Sequence, residues 1–575
     1  MKKKLIFFLI IFIITTPAYS QFDESQLMKG NSTPTYEEMV EFYSTLADEN
    51  KDIQLFNMGE SDYGLPIYLC LLNGESDSLK SFDKAKEKTT VLINNAIHPG
   101  EPCGVNASMQ IALEFSKMPK AKKSDFPVVG IIGAYNIGGM KNRGQHSRAN
   151  QVGPAEHGFR GNAQNLDLNR DFIKMDSKNM FTFANIFHAL DPDIFVDTHT
   201  SNGADYQYTL TYIAPIKEKL APTLKTIIYN DLIPQIHKNI PAKWGYDPIT
   251  YVNMKGKTLD EGIVDYNATA RYSMGYVDLF NTISFTTETH MLKPFEDRVR
   301  STYGFLLEII GYAMTNASKI EKARDDAFEF DLKQKKYFAN YKADTVRDSI
   351  LFDGYEWNHI DSDITEEKRL FYDKKKPFSK YIPHYNSFIP DDTLETPEYF
   401  VIQSQEEDII ERLKANKIEM TKLSKDTTIE VQIQRVKEYS TVEKPYEGHY
   451  LHYNTNIQKE MKEITFKKGD YLIPSNQKKK RFLVHVLSAT FLDSYFNWNF
   501  MDSYLQQKEY FSPYVFEEIA LDLLNNNTSL KTAFEKKKAQ DKSFEESRWE
   551  QLLFLYKNSP YYESTHNRLP VFFIL

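Results

Sequence analysis

Four stretches of the chain carry residue types that can act together. His98-Pro99-Gly100-Glu101 follows the apolar run Val91–Ile97 and sets an imidazole and a carboxylate three residues apart. A nitrogen and an oxygen donor turned toward one point suit Zn²⁺. Alone, the pair also fits a surface turn: among 13 histidines one His-x-x-Glu is expected by chance, and this is the only one in the chain. His199 follows a second apolar run, Asp193–Asp197, and Glu288 is a carboxylate within the otherwise apolar segment Thr282–Glu288. Between them, Asn142 to Asp171 is polar and rich in Arg and Asn, with Arg143, Arg148, Arg160 and Asn169-Arg170. Loops of about 30 residues without secondary structure are uncommon unless functional. Forked, charge-assisted donors of this kind suit recognition of a carboxylate.

These groups need rigid elements to hold them. Thr35 is a plausible N-cap, with Glu38 in the capping-box position, for a helix running to about Asn50. Ile53–Met58, Leu65–Leu72, Thr89–Ile97, Pro127–Ala134, Asp193–Asp197 and Thr282–Glu288 read as strands. Gly104–Met118, Lys217–Lys238 and Arg298–Met314 read as helices. Strands alternate with helices, and polar groups stand at strand ends. That pattern predicts an α/β fold, a mixed, mostly parallel open sheet with helices on both faces and a ligand crevice at the strand ends.

The ordered set His98-x-x-Glu101, Asn169-Arg170, His199 and Glu288 resembles the zinc metallocarboxypeptidases of the carboxypeptidase A family (M14), over about residues 35–315. The resemblance implies that His98, Glu101 and His199 bind one Zn²⁺ and leave a fourth position for water. It implies Glu288 as general base and Asn169 with Arg170 as the grip on a substrate's terminal carboxylate. Asp167 would orient a ligand histidine. The arginine that stabilises the oxyanion falls on Arg148, with Arg143 and Arg160 as alternatives, and Arg143 is otherwise counted with the substrate-binding set. The family's mobile tyrosine falls on Tyr272, with Tyr276 as the alternative. Val277 falls near the base of the side-chain pocket, which implies apolar or aromatic C-terminal residues.

The chain has 575 residues, 41% hydrophobic and 26% charged, so several domains are expected. A net charge of −9 without a sustained basic face argues against nucleic acid. The basic run Lys478–Arg481 reads as a solvated loop. Lys2-Lys3-Lys4, the apolar Leu5–Ile14 and Ala18-Tyr19-Ser20 read as a cleavable signal peptide, residues 1–20, too short in its apolar part for a permanent membrane anchor. Export to the periplasm or beyond follows. The two cysteines, Cys70 and Cys103, could pair or remain free.

Residues 21–318 are expected to form the catalytic domain, 319–395 a helical segment (Ile320–Asp348) and linker, and 396–575 a smaller α/β or β-rich accessory domain. His449 and His452 there lack a third ligand and read as part of a surface strand. The expected partners are peptide or protein C-termini; the sequence does not define the oligomeric state. Two alternatives stand beside the carboxypeptidase: a zinc amidase acting on cell-wall peptides, and a non-catalytic peptide-binding module of the same fold.

Overall fold

Eight strands of the N-terminal half build one sheet, and their apolar runs explain its layering. In the computed structural model, which describes residues 23–75 and 77–575, the strands are β1 (Ile53–Glu60), β2 (Pro66–Leu72), β3 (Thr90–Asn94), β4 (Val128–Ile132), β5 (Ile194–Ser201), β6 (Leu210–Ile213), β7 (Pro248–Thr250), the two-residue β8 (Ile263–Val264) and β9 (Ile283–His290). The expected signal peptide lies outside the described residues. Omitting β8, the sheet order is β1-β2-β4-β3-β5-β9-β6-β7. The central strands β4, β3, β5 and β9 run parallel, and antiparallel pairs flank them. Every residue of β3, β4 and β5 is buried, as expected for strands covered on both faces.

Two helical layers supply that cover. Cys103–Ser116 packs with Phe295–Thr315 against β3 and β5. Lys178–Leu190 and Ser273–Asp278 form the other layer, joined by the rings of Phe183, Phe187, Tyr276 and Phe280. The expected capping box is formed: Thr35 accepts the Glu38 amide and Glu38 accepts the Thr35 amide. Gly104 lets the first of these helices approach β5 closely, because a Cβ there would stand 2.0 Å from Thr198 Oγ1.

Several expected elements differ. The helix predicted over Lys217–Lys238 begins as a separate turn at Lys217–Lys219, restarts at Pro222 and runs to Trp244, with π geometry at Ile227–Leu232. Proline at the first helical position starts it, and Gly245 at φ 73° ends it. The helix predicted over Ile320–Asp348 stops at Lys333. The segment expected as a linker is instead largely β-structure, dominated by the hairpin Asp348–Asp361/Lys368–Tyr385, whose end pairs with β8. Most of that hairpin is exposed on both faces, so it shows no apolar alternation to read.

The C-terminal region is β-rich with helices. In its six-stranded sheet the last strand, Val571–Ile574, lies between Tyr399–Ile402 and Thr427–Thr441. One hydrophobic core runs without interruption from the eight-stranded sheet into Phe400, Ile402, Phe482 and Trp498. The Lys478–Arg481 run is not a wholly solvated loop: Lys480 and Arg481 are buried, and Arg481 donates to Asn281 Oδ1 at 2.8 Å and to the Lys219 carbonyl at 2.9 Å. Cys70 and Cys103 are both free and buried. Among the described residues no helix is long and apolar enough to cross a membrane.

Candidate metal centre and cleft

The turn His98–Glu101 is shaped by the end of β3. Ala96 takes a left-handed φ of 55°, which redirects the chain, and the Glu101 amide then donates to the His98 carbonyl at 2.8 Å. Pro99 holds the second position of this turn, where its fixed φ is favoured. His98 and Glu101 thus stand at the two ends of one turn. His199 comes from β5, and the parallel register sets it directly beside Glu288 of β9.

The three expected ligands converge. His98 Nδ1 lies 3.1 Å from His199 Nδ1 and 3.4 Å from Glu101 Oε1, and His199 Nδ1 lies 3.1 Å from Glu101 Oε2. Ligands at 2.0–2.1 Å from a tetrahedral Zn²⁺ are separated by about 3.3 Å, so this donor set fits that ion. All three side chains are buried. Each imidazole is held from behind: His98 Nε2 meets Asp167 Oδ1 at 2.9 Å, and His199 Nε2 meets Asp197 Oδ2 at 2.9 Å. With Nε2–H donated to a carboxylate, each Nδ1 keeps its lone pair for a metal.

The neighbouring charges oppose the effect of burial at both Glu101 and His199. Burial alone would raise the Glu101 carboxyl, but Arg148 and then His98 hold it well below the usual range. Burial would lower His199, but Asp197 and Glu101 hold it well above. Burial pushes the Glu288 carboxyl up to about 8; His199 opposes that rise and Glu101 adds to it.

A cavity of about 430 Å³ opens onto this cluster, and His98, Glu101, Arg148, Arg170, His199 and Glu288 are among its lining residues. Arg160 and Asn169 also line it. Arg148 binds Glu101 through Nη1 and the Thr200 carbonyl through Nη2 at 2.9 Å. Arg160 bonds to Asp167 Oδ2 at 2.9 Å and reaches Glu101 Oε1 at 3.5 Å. Asn169 Oδ1 accepts the Ser273 amide at 3.0 Å. A larger cavity, about 550 Å³, lies between the halves of the chain, and none of the expected site residues lines it.

Arg143, Tyr272 and Val277 do not line the cavity that opens onto the cluster. Arg143 turns away from the cavity: its guanidinium donates to the carbonyls of Thr33 and Pro34 and pairs with Glu156, because the N-terminal segment offers acceptors there. Tyr272 does not line the cavity; its ring lies under the Arg170 guanidinium at 4.5 Å and against Tyr266. Val277 is fully buried in the main core and lines no part of the cleft. Tyr276, the other tyrosine considered, is buried in the ring cluster of the helical layer.

The tyrosines that do line the cavity are Tyr251 and Tyr266, which sequence reasoning missed. Both sit in irregular segments where neither periodicity nor a motif marks them. Asp197 was also missed, although two residues before His199 in a strand is a same-face position. His449 and His452 are not a surface-strand pair: His449 bonds to Asp176 at 2.8 Å across to the N-terminal half, and His452 is buried against Asp502 and Thr441.

No family model matches the chain, and the search of curated proteins found no relative. The solved structures similar to it include a metallo-carboxypeptidase from Burkholderia cenocepacia, at 14% identity over 49% of this chain and 69% of that one, with a TM-score of 0.36. A carboxypeptidase A from Helicoverpa armigera is 15% identical over 54% of this chain and 78% of its own, with a TM-score of 0.38. Bovine thrombin-activatable fibrinolysis inhibitor, solved with a tick carboxypeptidase inhibitor, is 12% identical over 50% of this chain and 98% of its own, at 0.36.

Proposed function

We propose that the chain is a zinc-dependent metallocarboxypeptidase that removes residues from the C-termini of peptides, and that it is exported through residues 1–20. The observation that carries this is the convergence of two carboxylate-backed imidazoles and one carboxylate, 3.1–3.4 Å apart, in the same cavity as Glu288 and Arg170.

Zinc held by His98, Glu101 and His199 would supply Lewis acidity, polarising a carbonyl and lowering the pKa of water to about 7. Glu288 takes the proton of the attacking water and passes it to the departing amine. Arg148, with Arg160 beside it, donates hydrogen bonds to the oxygen on which negative charge develops. Arg170, supported by Asn169, binds the terminal carboxylate, which restricts cleavage to the chain end. Asp167 and Asp197 keep the two imidazoles in one tautomer and one orientation.

The test is digestion of a peptide library containing free-acid and amidated forms, read by mass spectrometry with and without a zinc chelator. Stepwise loss of C-terminal residues from free acids only, abolished by the chelator, is expected. Internal cleavage, equal attack on amidated peptides or chelator-resistant activity contradicts the proposal. Muropeptides in a parallel arm report whether cell-wall peptides are preferred.

A further inference from the structure

Strands Thr427–Thr441 and His452–Phe466 belong to the C-terminal half, yet the loop between them reaches Arg170 and Asp167 of the N-terminal half. Tyr446 and His449 exchange backbone hydrogen bonds at 2.8 and 3.1 Å around Glu447 and Gly448. Both central residues have positive φ, 49° and 84°, the geometry of a type I′ turn. Glycine suits that geometry and glutamate does not, so Glu447 is held in an unfavourable backbone state. Such residues persist where the surroundings over-determine them, and they cluster at functional sites.

Each residue of the turn that carries a side chain contacts the N-terminal half. Tyr446 Oη accepts a hydrogen bond from Arg170 Nε at 2.9 Å. The Glu447 carboxylate accepts the Asp167 amide at 2.7 Å, and His449 meets Asp176 at 2.8 Å. The turn is backed by a rigid wall. The Tyr446 ring stacks on the fully buried Trp498 at 6.2 Å, and Arg271 lies over both rings, fixed by Asp493 at 2.7 Å.

Arg170 is the residue this arrangement serves. Its Nη1 donates to the Asn169 carbonyl at 2.8 Å and lies 3.7 Å from Asp167 Oδ2, the Tyr272 ring lies under the guanidinium, and its Nε donates to Tyr446, while Nη2 has no hydrogen-bond partner among the described residues. Two bonds on adjacent edges fix the plane of a guanidinium, and a side chain ordered beforehand loses less freedom when it binds.

We propose that the Tyr446–Glu447 turn of the C-terminal half backs the substrate site, with Tyr446 the positioning residue that orients Arg170 for a terminal carboxylate. The inference rests on the carboxypeptidase reading and adds that the C-terminal half, which carries none of the chemistry, tunes the affinity of Arg170 for the chain end.

The test uses the zinc-loaded full chain, with N-acetyl-phenylalanine and N-acetyl-phenylalaninamide as calorimetric probes. Hydrolysis of a blocked free-acid dipeptide is followed in parallel. Tyr446→Phe removes one hydroxyl and keeps the ring on Trp498. It is expected to weaken binding of the acid about tenfold and leave the amide unchanged, with KM rising similarly and kcat within about twofold. Glu447→Asn, which tolerates positive φ but cannot reach as far, is expected to act in the same direction. Tyr453→Phe, at an exposed position of the same hairpin, is expected to change nothing. Acid binding unchanged in Tyr446→Phe, or lost equally for acid and amide, overturns the inference. A wild type that binds the acid through Tyr446 but hydrolyses nothing retires the peptidase reading and leaves this one standing.

Discussion

Two histidines with carboxylates behind them define the site at the scale of single residues. Asp197 is fully buried and accepts from His199, Ser273 and Asn94. Asp197→Asn keeps the shape and removes the charge that makes His199 a strong donor. Zinc affinity is expected to fall 10- to 100-fold, measured by competition with a chelating dye, while the fold is retained. Unchanged affinity would show that Asp197 serves Ser273 rather than the metal. The His98, Glu101 and His199 cluster was legible because these residue types and spacings are uncommon together. Asp197 was legible in principle, from strand alternation, but only His199 was singled out. The arginines were not separable: Arg143 and Arg148 share a polar stretch, and only folding reveals that Arg143 meets the carbonyls of Thr33 and Pro34 while Arg148 meets Glu101.

Strand ends and short helices do the positioning at the scale of elements. The register that sets His199 beside Glu288 follows from two apolar runs, Ile194–Val196 and Ile283–Phe285, lying side by side. The short helix Ser273–Asp278 carries Ser273 to Asp197 at one end. At its other end, burial pushes the Asp278 carboxyl up to about 6, against opposing contributions from Ser284, Lys219 and Arg481. A carboxylate at a helix C-terminus also faces the unfavourable end of the peptide dipoles. Because the folded pKa lies above the unfolded one, the native state loses stability as pH rises from about 4 through about 6. Asp278→Asn mimics the protonated form. It is expected to match wild type in denaturant melts at pH 4 and to exceed it by about 2–3 kcal/mol at pH 7. A constant difference across that range contradicts the assignment. Buried strands such as β3 and β4 were readable as continuous apolar runs. The Asp348–Tyr385 hairpin was not, because it buries too little on either face to impose alternation.

At the scale of the whole molecule the two halves share one hydrophobic core. Phe280 stacks on Phe482 at 5.3 Å, Arg412 donates to the carbonyls of Lys174 and Met175, and the shared core crosses residue 396. Composition could not reveal this, since contacts such as Arg170 with Tyr446 join residues 276 positions apart. Calorimetry of the full chain is expected to give one unfolding transition. A chain ending at Glu395 would expose the face that Phe482 and Trp498 cover. It is expected to aggregate or to melt at least about 10 °C lower. A truncated chain with the full-length melting temperature would make the C-terminal region a separable appendage.

The most direct measurement compares wild type with Glu288→Gln on one free-acid peptide, with bound zinc quantified in both proteins. One zinc per chain in each, with hydrolysis reduced by about three orders of magnitude in the variant, is the expected result. Hydrolysis by Glu288→Gln at the wild-type rate with zinc in place, or a wild type that hydrolyses the peptide without binding zinc, would contradict it.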